Sequence, residues 1–142
     1  MVRIKILEDD PADRDTLIEC LRKYEREQGQ SFSITAYDNP SDFMDNYHMD
    51  ADLIFMDIEL PGINGIELAQ RVRQLYPRTH TVIVSGYAEF EFARGAIQAG
   101  VDDYLLKPVE IQSFRQILDR IRETLDAEAN NLMEETLTRL LC

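Results

Sequence analysis

The chain has 142 residues, the size of one compact domain, and 44% of them are hydrophobic, enough for a real core. Its 27 Asp and Glu against 15 Lys and Arg give a formal net charge of −12, which a nucleic-acid backbone repels, so no direct nucleic-acid binding by this domain is expected. No apolar run approaches the ~20 residues that cross a bilayer, and Met1 to Leu7 lacks the pattern of a leader, so the expected setting is the cytoplasm with no membrane contact. The two cysteines, Cys20 within a helical pattern and Cys142 at the end, outline neither a disulfide framework nor a metal motif.

The hydrophobic period alternates between strand and helix along the chain. Arg3 to Leu7 reads as a buried strand that meets three acids, Glu8, Asp9 and Asp10. Pro11 opens a helix with Leu17, Ile18, Leu21 and Tyr24 on its apolar stripe, ended by Gly29. Phe32 to Tyr37 is a second strand, and Asn39-Pro40-Ser41 caps a short helix carrying Phe43, Met44 and Tyr47. Leu53 to Met56 is a third strand running into Asp57, followed by a loop punctuated by Pro61-Gly62 and Gly65. Ile66, Leu68, Ala69, Val72 and Leu75 mark the next helix, stopped before Pro77. Thr81 to Val84 is a fourth strand ending at Ser85-Gly86, and Phe90, Phe92, Ala93, Ala96 and Ile97 mark a fourth helix closed by Gly100. Tyr104 to Leu106 is a short fifth strand ending at Lys107-Pro108, and a fifth helix follows from Ile111 with Phe114, Ile117, Leu118, Ile121 and Leu125.

Five strands alternating with helices predict an α/β fold, a doubly wound parallel sheet with helices on both faces. Ligands of such sheets bind outside the carboxyl ends of the strands. The residues at those ends are Glu8, Asp9 and Asp10, then Asp57, then Ser85, then Lys107, all on one rim. Clustered carboxylates repel one another and call for a cation. Oxygen ligands favour Mg²⁺, whereas zinc is disfavoured because no cysteine is near and His48 and His80 fall off the rim. Asp9 and Asp57 are the expected direct ligands, with Glu8 acting directly or through water and the Glu59 backbone carbonyl as a further oxygen. Asp10 reads as a helix-start residue.

Carboxylates form acyl phosphates, so Asp57 is a competent phosphoryl acceptor. Lys107 would hold one phosphoryl oxygen as a point charge and the Ser85 hydroxyl would hydrogen-bond another. Tyr87 and Glu59 stand where they either tune access of hydrolytic water to the phosphoryl group or are passive residues of the rim.

The runs Ile6-Leu-Glu-Asp-Asp10, Leu53-Ile-Phe-Met-Asp-Ile-Glu-Leu-Pro-Gly62, Val82-Ile-Val-Ser-Gly86 and Asp103-Tyr-Leu-Leu-Lys-Pro108 together resemble the receiver domain of bacterial two-component response regulators. The resemblance covers roughly Met1 to Leu125. It implies the flavodoxin-like strand order 2-1-3-4-5, a sensor histidine kinase as phosphoryl donor to Asp57, and a cis peptide before Pro108 that aims Lys107 into the site. It also implies a switch: Ser85 is drawn toward the phosphoryl group, Tyr104 turns inward, and the face of helix 4, strand 5 and helix 5 is remodelled. Ser85-Gly-Tyr-Ala-Glu-Phe-Glu-Phe and Asp103 to Val109 are similar to receivers joined to AraC-type or LytTR-type DNA-binding domains, and no such output domain is expected within these 142 residues.

The expected division is a receiver over 1–125 and a helical tail over 126–142. The tail's stripe of Leu132, Met133, Leu137, Leu140 and Leu141, interrupted by Glu128 and Arg139, is open to two readings. It is a linker or dimer helix, or it folds back as an extra packing helix. Two rival functions share the motifs. A magnesium-dependent phosphatase with an aspartyl-phosphate intermediate places a second acid two residues after the nucleophile, where Glu59 stands, but this chain lacks a substrate domain. A pseudo-receiver would have lost an acid, the serine or the lysine, and none is lost here. The expectation is therefore a protein that catalyses only its own phosphorylation and dephosphorylation.

Overall fold

The structure is a computed structural model that describes residues 1–46, 51–86, 95–96 and 98–141. Tyr47, His48, Tyr87, Phe90, Phe92, Ala93, Ile97 and Cys142, and with them most of the expected fourth helix, lie outside the described residues.

Strands β1 (Val2–Leu7), β2 (Phe32–Tyr37), β3 (Leu53–Asp57), β4 (His80–Ser85) and β5 (Asp103–Leu106) form one parallel sheet in the order β2-β1-β3-β4-β5. This is the expected doubly wound arrangement. The strands run one residue further than the apolar pattern suggested, so Asp57 and Ser85 are the last residues of β3 and β4 rather than the first beyond them.

Helix α1 (Pro11–Gln28) begins where the Asp10 carboxylate accepts from the Ala12 N–H at 3.0 Å, with Pro11 in the first turn. It ends at Gly29, whose φ of 62° is left-handed. Asp10 is thus a cap, as expected. Helix α2 (Pro40–Asp45) is capped in the same way by Asn39, and α3 (Gly65–Leu75) by Asn64. Between β3 and α3, Glu59–Leu60 and Ile63–Asn64 pair as a two-residue antiparallel ladder around Pro61-Gly62. The sequence pattern did not reveal this ladder, because two residues are too few for a period to register. The C-terminal helix, Ile111–Leu141, runs 31 residues without a break.

Successive side chains of a strand face opposite sides of the sheet, and β3 shows the consequence. Leu53 and Phe55 join Ile4, Ile6, Val82 and Val84 against α1 and the C-terminal helix, where Leu17, Leu21, Phe114, Ile117, Leu118 and Ile121 close that side. Ile54 and Met56 join Leu7 and Ile83 on the other side, against Phe43 of α2 and Leu68, Ala69 and Val72 of α3. Leu75, expected on the apolar stripe of α3, is instead 58% exposed in its last turn, beyond the reach of the sheet. Both helices of the first layer are tied by polar contacts. The buried Tyr24 donates its hydroxyl to Asp119 at 2.6 Å, and Arg115 pairs with Glu27 at 2.6 Å.

At the amino-terminal end of the sheet, the buried His80 places Nδ1 2.8 Å from Asp102 and Nε2 3.1 Å from Glu128. The two carboxylates favour the charged ring. Asp102 contributes most and outweighs burial, and Glu128 adds to it, pushing the imidazole up to about 9. Glu128 therefore interrupts the apolar stripe because it docks the helix to the sheet. Beyond it the apolar stripe faces out: Leu132, Met133, Leu137, Leu140 and Leu141 are 48% to 85% exposed.

Candidate functional site

The carboxyl rim of the sheet gathers the expected residues from four strand ends. In-register pairing sets Asp57 beside Val84 and Ser85 beside Leu106, so β3, β4 and β5 deliver Asp57, Ser85 and Lys107 to neighbouring positions. Backbone bonds beyond the ladder extend this order: the Ile58 N–H donates to the Val84 carbonyl at 3.2 Å and the Lys107 N–H to the Ser85 carbonyl at 2.7 Å. Glu8 is fixed by its N–H donating to the Tyr37 carbonyl at 3.0 Å. The Lys107-Pro108 peptide is cis, as the resemblance implied.

Gly65 positions the loop after Asp57. Its N–H donates to the Ile58 carbonyl at 2.8 Å, and a Cβ on this residue would overlap the carbonyl oxygen of Asp57. The start of α3 can press against the backbone of Asp57 only because no side chain is there. The sequence showed Gly65 as loop punctuation and gave no sign of this approach.

Glu8 and Asp57 are buried while Asp9 is exposed, and oxygens from all three lie within 4.8 Å of one another. Burial, followed by the neighbouring Asp57 carboxylate, pushes Glu8 up to about 7 despite an opposing contribution from Lys107. Lys107 brings a cation among the acids, and the Arg14 guanidinium donates to the Glu8 carbonyl at 3.0 Å. The Lys107 Nζ lies 2.6 Å from Glu8 Oε1, 2.9 Å from Asp13 Oδ2 and 3.6 Å from Asp57 Oδ2. Burial opposes the ammonium charge, but bonding to Glu8 and Asp13 and the charge of Asp57 outweigh it, so Lys107 sits above its ordinary value. Three hard oxygen donors form an acidic pocket able to hold a metal ion.

A cleft of ≈ 240 Å³ opens over Asp57, lined by Glu59, Ser85, Gly86 and Lys107. The Asp57 Oδ1 accepts from the Glu59 N–H at 3.3 Å, so the backbone following the acid already turns a donor toward it. Ser85 is buried. Tyr104 pairs with Ile83 in register and is half-buried against the α2–α3 side of the core. Asp13 is the member of this neighbourhood that sequence reasoning missed. Its tie to Lys107 spans 94 positions, and nothing in the helical pattern of α1 distinguishes it from the other acids there.

Comparison with known proteins matches the geometry. Residues 4–119 fit the response regulator receiver domain family. The chain is 29% identical over 128 residues to the sensory transduction protein LytT of Oceanobacillus iheyensis, covering 89% of this chain and 50% of LytT. It is 35% identical over 74 residues to the uncharacterized transcriptional regulatory protein YesN of Bacillus subtilis, covering 52% of this chain and 20% of YesN. The chain thus spans half or less of the length of these two relatives. The REC domain of AraT, a response regulator from Geobacillus stearothermophilus, superposes with a TM-score of 0.77 at 28% identity, covering 91% of this chain and 99% of that one. A CheY-like response regulator receiver domain from Methanospirillum hungatei gives 0.73 at 28% identity, covering 92% and 98%. With the family matched across most of the chain and its fold shared, this chain belongs to the response regulator receiver domains of two-component signalling.

Proposed function

We propose that Asp57 is the phosphoryl acceptor of this receiver, that the donor is a sensor histidine kinase, and that Mg²⁺ is required. The observation that carries the reading is the convergence of Glu8, Asp9, Asp57, Ser85 and Lys107 at one cleft from separate strand ends. In the transfer, a carboxylate oxygen of Asp57 forms a bond to phosphorus as the bond from phosphorus to the donor breaks, and the leaving group keeps that electron pair. The Lys107 ammonium and the Ser85 hydroxyl are donors for phosphoryl oxygens, and the Glu59 N–H is a third. Glu8, Asp9, Asp57 and the Glu59 carbonyl would hold the cation, whose chemistry is to neutralise charge during transfer. The protein performs only its own phosphorylation and its reversal, with no separate substrate turned over.

Ser85 and Tyr104 are the proposed switch pair, passing the change at Asp57 to the face that includes β5 and the C-terminal helix. Residues 1–125 are the proposed receiver unit and 126–142 a linker. The exposed stripe from Leu132 to Leu141 supports pairing with a second copy. The proposed output is control of transcription through a domain outside this chain, supported by relatives named as transcriptional regulatory proteins, and the proposed setting is the cytoplasm.

Incubation with Mg²⁺ and acetyl phosphate should add the mass of one phosphoryl group per chain, labile to base. Equal uptake by Asp57→Asn would remove the assignment. A beryllofluoride adduct should move sedimentation toward dimer, and an unchanged monomer across micromolar concentrations would sink the pairing.

A further inference from the structure

We infer that Asp13 is a positioning residue that holds Lys107 away from the phosphoryl site and so lowers the phosphorylated fraction of the protein. This rests on the reading of Asp57 as the acceptor.

Lys107 has three N–H donors and no other polar function. Glu8 and Asp13 engage it at 2.6 and 2.9 Å, whereas Asp57 lies at 3.6 Å, beyond hydrogen-bond distance. Two of the three N–H groups are thus taken up by Glu8 and Asp13, and these carboxylates compete with a phosphoryl oxygen on Asp57 for the ammonium and for its placement. The two competitors differ in what frees the lysine. Glu8 belongs to the three-acid cluster, so a cation bound there draws its oxygens away. Asp13 lies outside that cluster, in the first turn of α1, and a bound cation gives it no new partner. It remains the anion that retains Lys107 after the site is loaded.

Two effects of Asp13 share one sign. Its bond to Lys107 stabilises the unphosphorylated arrangement, and its own charge adds to the repulsion felt by an incoming phosphoryl dianion. Both weaken phosphorylation. The Asp13 side chain is 40% exposed, so water and salt screen the effect and it is modest.

The test follows phosphorylation of the parent, Asp13→Asn, Asp13→Ser and Asp13→Glu proteins by acetyl phosphate with Mg²⁺, using intact mass at low and high salt. The Asn and Ser forms should be phosphorylated about two- to five-fold faster than the parent, the scale of one partly exposed ion pair. The Glu form should restore the parental rate, and the gap should narrow at high salt. A purely structural role would lower the urea midpoint and leave phosphorylation equal or slower. Parental or slower rates in the Asn and Ser forms, with the parent itself phosphorylated, overturn the inference. A parent that takes up no phosphate overturns the reading of Asp57 instead, and this inference with it.

Discussion

His80 Nε2 lies 3.1 Å from both carboxylate oxygens of Glu128, joining the first residue of β4 to the eighteenth residue of the C-terminal helix. The opposite ring nitrogen is held by Asp102, which is itself fixed by the Thr81 N–H at 2.8 Å. A neutral ring has one N–H, and it can satisfy only one of the two carboxylates. Glu128, the more exposed partner, is then the one released.

The sign of the pH effect follows. The folded-state value of about 9 exceeds the ordinary 6.5, so the stability from His80 is fully present below about pH 6.5 and is lost as pH rises through about 9. Urea unfolding with saturating Mg²⁺ should show stability falling by roughly 1–3 kcal/mol across that window. His80→Gln should flatten this slope. A parent whose stability is flat from pH 6.5 to 9 would contradict the clamp.

The acidic pocket predicts a second stability effect. On the proposed reading Mg²⁺ is held by the folded cluster of Glu8, Asp9 and Asp57 and not by the unfolded chain, so ten times the dissociation constant should add about 1.4 kcal/mol. Asp9→Asn removes an exposed ligand and should weaken Mg²⁺ binding with little change in metal-free stability. Thermal shifts of the two proteins across a Mg²⁺ titration check this, and equal shifts would remove Asp9 from the site.

Gly65→Ala should be costly out of proportion to its size. The added methyl group meets the Asp57 carbonyl oxygen and the Ile58 backbone, neither of which can move without disturbing the end of β3. We expect a loss of about 1–3 kcal/mol, as for overpacked sites, together with slower phosphorylation. Gly62→Ala, at a φ of 79° in the turn but with nothing within 4 Å, should lose stability through the backbone alone and leave phosphorylation intact. Chemical denaturation and acetyl phosphate uptake separate the two.

Strand ends made the site legible in the sequence. A parallel sheet puts every carboxyl end on one rim, so locating β1, β3, β4 and β5 was enough to bring Glu8, Asp57, Ser85 and Lys107 together before any distance was known. Local caps such as Asp10 and Asn39 were equally readable, because their chemistry is confined to a few residues. What stayed hidden depends on contacts between distant segments. Asp13 acquires meaning only from Lys107, Glu128 only from His80, and Gly65 only from a carbonyl eight positions earlier. No period or composition carries such pairings. The tail shows the same limit: its weak stripe leaves two readings open, while the structure shows an unbroken helix with exposed leucines.

The central claim is that Asp57 carries the phosphoryl group. After incubation with Mg²⁺ and acetyl phosphate, borohydride reduction converts an aspartyl phosphate to homoserine, which tandem mass spectrometry of the digested protein locates. Homoserine is expected at position 57 alone. Homoserine at Asp9, Asp10 or Asp13, or none in a protein that has gained phosphate, would contradict it.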